Sequence, residues 1–254
     1  MNKKNQPALE KSEQNKWFSV WFNTTFYHLL YNKRNYEEAE AFISQLLRYL
    51  NPATGSKALD LACGAGRHSI TLNKSGLDVL GVDLSTNSIA EAKKHENSSL
   101  HFEVHDMRHV VYPLQFDYIF NLFTSFGYFD SPLDDEKVLQ ACHQQLKPDG
   151  LLILDYFNIE KIAPTLPYQG VEKRDEIEFV ISKKIIEKYI IKTIDFTADE
   201  KDFHFEERVA AYTIKDFEAM LSLCGFRMVD VFGNYSLEQL TQQSDRVIII
   251  AQKN

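Results

Sequence analysis

Between residues 12 and 50 the apolar and amphipathic positions recur every three or four residues. Trp17, Val20, Trp21, Thr24, His28 and Tyr31 form one stripe, and Ala39, Phe42, Ile43, Leu46, Leu47 and Leu50 form a second. That spacing puts side chains on one face of a helix, so two helices are predicted ahead of any strand. Pro52 and Gly55 break the pattern, and the apolar run at 57–62 is too short for a helix but suits a strand buried on both faces. Short apolar runs then alternate with amphipathic ones: strands are predicted at 77–83, 100–105, 116–122 and 151–156, and helices from Arg67, at 86–95 and at 133–146, with 147–150 as a turn. Such alternation implies right-handed βαβ units and a doubly wound, mainly parallel α/β sheet.

Residues 170–213 break this rhythm. Positions 188–196 alternate with period two, and a polar turn at 197–202 leads into another strand-like run, the pattern of an antiparallel insert. A helix at 214–223 and strands at 226–232 and 246–252 close the chain. The organisation expected is an N-terminal helical extension or lid at 1–50, a main domain from 51–160 and 212–254, and the β insert at 161–211.

Composition narrows the partners. Of 254 residues, 28 are Lys or Arg and 36 Asp or Glu, a formal charge of −8, the wrong sign for binding a phosphate backbone. No nucleic acid partner is expected. No apolar stretch reaches signal-peptide or membrane-spanning length, so a cytoplasmic chain without a membrane partner is expected. Cys63, Cys142 and Cys224 lie far apart, as reduced structural thiols do, and no metal site is expected. Monomer and homodimer are equally compatible with these features.

The chemistry concentrates in one loop. The first strand runs into Asp60-Leu61-Ala62-Cys63-Gly64-Ala65-Gly66-Arg67-His68-Ser69. Glycines there let the backbone turn tightly and approach a ligand, with the free N–H groups of the next helix facing the same crevice. Nineteen residues past Gly64 the second strand ends at Asp83, where a carboxylate can accept hydrogen bonds from ribose hydroxyls. The third glycine of a dinucleotide site is missing; Arg67, His68 and Ser69 follow instead.

The run from Leu59 to His68, with Gly81-Val82-Asp83-Leu84-Ser85, resembles the first two motifs of class I S-adenosylmethionine-dependent methyltransferases. Asp106-Met107-Arg108 resembles that family's adenine-contacting turn, and residues 116–121 resemble its fourth strand. Residues 124–129, Thr-Ser-Phe-Gly-Tyr-Phe, are similar to a bacterial subgroup with small-molecule or unassigned acceptors. The resemblance implies a seven-stranded Rossmann-like sheet and S-adenosylmethionine as cofactor. It implies Gly64 and Gly66 beside the methionine part, bordered by Asp60 and Ala62, with Arg67 on its carboxylate. Asp83 would hold the ribose next to Leu84, Asp106 and Met107 the adenine, and Asn121 and Leu122 would lie under the cofactor. The activity implied is in-line methyl transfer to a small acceptor. Nucleic-acid amino-methylating enzymes share a polar residue followed by Pro-Pro-aromatic, where this chain has Asn121-Leu122-Phe123-Thr124. A protein- or RNA-directed enzyme and a non-catalytic S-adenosylmethionine-binding module are the alternatives.

Acceptor-side candidates sit past the strand ends, where ligands of open α/β sheets bind: Thr124, Ser125 and Tyr128 after strand four, and Asp155, Tyr156 and Asn158 after strand five. Asp155 and Tyr156 are the catalytic candidates, Asp155 as a base. Tyr27 and Tyr31 join Ser125, Tyr128 and Asn158 as substrate candidates. The aromatic stripe from Trp17 and Phe18 to Tyr36 forms either a lid or ordinary core. His68, His105 and His109 are expected to be hydrogen-bonded scaffolding.

Overall fold

The apolar runs become the strands of a seven-stranded sheet in this computed structural model, which describes residues 20–31 and 36–254. These are β1 (Lys57–Leu61), β2 (Asp78–Asp83), β3 (Leu100–Val104), β4 (Phe116–Asn121), β5 (Leu146–Phe157), β10 (Phe226–Phe232) and β11 (Arg246–Lys253). Their order is β10-β11-β5-β4-β1-β2-β3. The first five pair in parallel, while β11 runs antiparallel to both β5 and β10. The chain winds outward through β1, β2 and β3, then crosses over to β4. The carboxyl ends of β1 and β4 therefore border the topological switch point, where such sheets open a crevice.

Successive side chains of the central strands serve opposite faces. Ala58 packs with Phe42, Ile43 and Leu46 of α2 (Tyr36–Leu50), Leu72 of α3 (Arg67–Lys74) and Ile89 of α4 (Thr86–Ala92). Leu59 and Leu61 pack on the other side with Val138 and Leu139 of α5 (Pro132–Gln145) and Phe217 and Leu221 of α7 (Ile214–Leu223). Between the last strand of the parallel run and the insert lies the single turn α6 (Ile159–Ile162).

The second sheet is an antiparallel meander of β6 (Tyr168–Arg174), β7 (Ile177–Ile186), β8 (Tyr189–Ala198) and β9 (Lys201–Ala210). Its apolar face, carrying Phe179, Ile194 and Phe196, receives Trp21 and, from α1 (Thr25–Tyr31), Leu30 and Phe26. Among the described residues no helix is long and apolar enough to cross a membrane.

Several boundaries differ from expectation for local reasons. The first helical stripe is interrupted at Thr24, whose hydroxyl accepts the Tyr27 amide at 3.0 Å and so caps α1 as a separate helix. Trp17 and Phe18, and the side chains of His28 and Tyr36, lie outside the described residues. β5 begins at Leu146: the expected turn is absorbed as a bulge, with Phe116 opposite Leu146 but Tyr118 opposite Leu151, and Asp149 at a φ of 61°. The six-residue turn expected at 197–202 shrinks to Asp199 and Glu200, at φ 50° and 60°, the conformation that suits the twist of a two-residue hairpin.

Candidate functional site

Past β1 the chain turns through Ala62 and Gly64 at φ of 56° and 57° and enters α3 after Gly66 at φ 84°. The two glycines have different reasons. A Cβ placed on Gly64 would meet no atom within 4 Å, so this backbone borders open space. A Cβ on Gly66 would lie 2.7 Å from Cζ of Phe102, so this one is required by packing on β3.

Asp83 closes over the turn. Its Oδ2 accepts the Gly64 amide at 2.9 Å and its Oδ1 the Ser85 amide at 2.7 Å. A carboxylate has about four acceptor positions, so these bonds leave capacity for a ligand. Burial pushes the Asp83 carboxyl up, against the opposing pull of the Ser85 and Gly64 amides. Asp60 lies below, 1 % exposed and bonded by the Ser69 hydroxyl. Burial raises it to about 7, Ser69 opposing and the nearby Asp83 charge adding. Past β3, Asp106 is forked by Arg108, whose Nε lies 3.1 Å from both carboxylate oxygens. Burial favours its neutral form, but the Arg108 bonds and charge prevail and hold it below the usual carboxylate range.

A cavity of about 360 Å³ opens here, within the range of small-ligand sites. Of the residues singled out from sequence, Ala62, Gly64, Arg67, Asp83, Leu84, Asp106, Met107 and Leu122 line it, as do Tyr27, Tyr31, Thr124, Ser125 and Tyr128. Asp60, Gly66 and Asn121 are buried and do not line it. Asn121 donates to the Leu61 carbonyl, and its Oδ1 has no hydrogen-bond partner among the described residues.

Three acceptor-side candidates do not reach the cavity. The Asp155 carboxylate is fully buried and already accepts from Arg246, Phe123 and Tyr235. Tyr156, 1 % exposed, donates to the Ala210 carbonyl. Asn158 caps α6 and donates to the carbonyls of Thr241 and Ser244. These residues hold elements together.

Conversely His68 and His105 do line the cavity, together with Phe22, Ser88, Phe123 and Phe129. His105 bonds the His109 carbonyl at 2.9 Å, so it combines scaffold and wall, while His109 itself stays outside. Trp21 and Phe26 of the aromatic stripe pack on the second sheet without lining the cavity, whereas Phe22, Tyr27 and Tyr31 pack against that sheet and line the cavity as well. Phe123 carried no sequence signal, because nothing in Asn-Leu-Phe-Thr announces its left-handed turn.

The family model described as a methyltransferase domain matches residues 58–150. The solved structure of an S-adenosylmethionine-dependent methyltransferase from Clostridium acetobutylicum ATCC 824 superposes with a TM-score of 0.77 at 22% identity, over 89% of this chain and 95% of the other. YqeM of Bacillus subtilis (strain 168), a provisionally named methyltransferase, is 30% identical over 210 residues, 78% of this chain and 84% of YqeM. The chain belongs to the class I S-adenosylmethionine-dependent methyltransferases. It is also similar to the demethylmenaquinone methyltransferase of Staphylococcus carnosus (strain TM300), 27% identical over 88% of this chain and 90% of that enzyme.

The residues present fit S-adenosylmethionine, the cofactor that this family's name implies. The open face of Gly64 leaves room for a ligand against the backbone, and Asp83 keeps acceptor positions for paired hydroxyls. Arg67, with its guanidinium 4.7 Å from the Phe123 ring centroid, supplies a cation at the start of α3.

Proposed function

We propose that this methyltransferase transfers the cofactor's methyl group to a small-molecule acceptor by in-line displacement. One continuous cavity carries the reading, because it joins the Gly64–Asp83 cradle to a wall of aromatic and hydroxyl side chains. The sulfonium supplies an already activated methyl group, so the protein's task is alignment and exclusion of water. Asp83 would hold the ribose hydroxyls, Arg67 the methionine carboxylate, and Met107 with Asp106 the adenine. Tyr27, Tyr31, Ser125 and Tyr128 would orient the acceptor.

The segment at 20–31 would act as a lid over the main domain, leaning on the insert. Two contacts support this. Ser85 donates its hydroxyl to the Asn23 side chain, and the Phe22 and Tyr128 rings meet edge-on with centroids 5.7 Å apart. A cavity walled within one chain can serve a monomer or a homodimer, and three separate buried thiols suit a cytoplasmic setting. A net charge of −8 disfavours an RNA acceptor.

Calorimetric titration with S-adenosylmethionine and S-adenosylhomocysteine, followed by a metabolite panel scored for S-adenosylhomocysteine release, tests the reading. Turnover with a panel member is expected. Binding without turnover on small molecules, but with turnover on protein or RNA, would overturn the acceptor class.

A further inference from the structure

The turn that leaves β4 has a conformation its sequence does not favour. Phe123 and Thr124 have φ of 65° and 60°, and Thr124 is β-branched, the residue type for which a left-handed conformation is a true outlier. Neither is glycine, yet both line the cavity. Something outside the turn must hold it.

The holding groups are Asp155 and Arg246, on adjacent antiparallel strands β5 and β11. Oδ2 of Asp155 accepts the Phe123 amide at 2.8 Å, and the Asp155 carbonyl accepts the Thr124 amide at 2.9 Å. Both amides of the strained pair thus end on one residue. Arg246 bonds Oδ1 of Asp155 through Nε at 2.7 Å and reaches the Thr124 hydroxyl through its terminal nitrogen at 3.0 Å. Tyr235 completes the carboxylate's shell at 3.1 Å. The Phe123 ring neighbours Arg246 and Tyr235 of this clamp as well as Arg67 and His68, with the Arg67 guanidinium 4.7 Å from its centroid.

We infer that Asp155 and Arg246 are positioning residues that hold the Phe123–Thr124 turn left-handed, and through the Phe123 ring fix Arg67 in the cavity. Asp155 does not itself receive a proton from the acceptor. It has no face on the cavity, and its oxygens are engaged by the turn and by Arg246. The inference rests on the methyl-transfer reading only in what Arg67 would bind.

The test compares the full chain with Asp155→Asn, Thr124→Gly and the double variant, by hydrogen exchange over 122–126 and by calorimetry with S-adenosylhomocysteine. Asp155→Asn is expected to speed exchange in that segment beyond the rest of the chain and to weaken binding about tenfold, the order of loss a misplaced wall group causes. Glycine adopts positive φ without strain. The double variant should therefore bind within about threefold of Thr124→Gly alone, a rescue that neither a lost base nor a generally weakened fold would give. Exchange unchanged at 122–126, or no rescue by glycine, overturns the proposal. If Asp155→Asn does not fold, Thr124→Val decides: it keeps the strain and removes only the hydroxyl that Arg246 holds, so unaltered exchange overturns the proposal and local acceleration supports it. A native chain that fails to bind S-adenosylhomocysteine would count against the cofactor roles, while the exchange comparison would still judge the clamp.

Discussion

The amide of Gly64 donates to Oδ2 of Asp83 at 2.9 Å, joining the turn after β1 to the end of β2. One carboxylate therefore shapes the loop and faces the ligand. Asp83→Ala removes both functions and is expected to weaken S-adenosylhomocysteine binding by about 1–3 kcal/mol, the cost of leaving hydrogen-bonding partners unmet. Calorimetry measures it. An unchanged dissociation constant would separate Asp83 from the ribose hydroxyls.

This part of the site was legible because its determinants are local. Gly64 and Asp83 follow from a strand-turn-helix-strand pattern read along the chain, and both line the cavity. The main sheet followed from the same alternation of runs. Beyond β4 the determinants are distant. Asp155 had the right chemistry for a base and stood at a strand end, but Arg246, 91 residues later, occupies it. Phe123 and Thr124 owe their conformation to those same two residues, which no window around position 123 includes. The first helical stripe failed at Thr24 because a hydroxyl that caps a helix also fits a helical face in a periodicity count.

Gly66 makes a different prediction from Gly64. At φ 84°, with an added Cβ only 2.7 Å from the Phe102 ring, Gly66→Ala should cost about 1–3 kcal/mol by overpacking alone, and more from the backbone. Urea denaturation checks this. Adding Phe102→Leu should return part of the loss; if it returns none, the Phe102 contact is not the reason for the glycine.

Two buried carboxyls give the stability a pH dependence. Asp60 and Asp135 are each raised from 3.8 to about 7, chiefly by burial, and Asp135 is meanwhile bonded by the Tyr212 hydroxyl and the Gly127 amide. In the folded chain these groups keep their protons to higher pH than in the unfolded chain. Their contribution is therefore fully present below pH 3.8, falls as pH rises through about 7, and is constant above. Asp135→Asn removes one such group. Its urea midpoint should change less favourably for acid than that of the native chain: the native-minus-variant difference shrinks between pH 5 and 8. A difference that stays constant, or grows with pH, contradicts a raised Asp135.

The ion pair beside residues 20–31 offers a last test. Lys192 and Glu207 face each other across β8 and β9, with side chains 13% and 12% exposed. Oε1 of Glu207 accepts from the Trp21 indole at 2.7 Å and the Tyr31 hydroxyl at 2.6 Å, while Lys192 also contacts that hydroxyl. Glu207→Gln keeps a carbonyl for those donors but leaves the Lys192 ammonium without its carboxylate. Removing one partner of a largely buried pair costs more than the pair is worth, because the remaining charge stays desolvated. The loss expected is about 1–3 kcal/mol, reduced from the fully buried case by the residual exposure. Lys192→Met beside Glu207→Gln removes the stranded charge, so thermal denaturation should find the double variant more stable than Glu207→Gln alone. If the two losses simply add, the pair is not coupled, and the segment at 20–31 is held by the aromatic contacts of Trp21 and Phe26 with the second sheet rather than by charge.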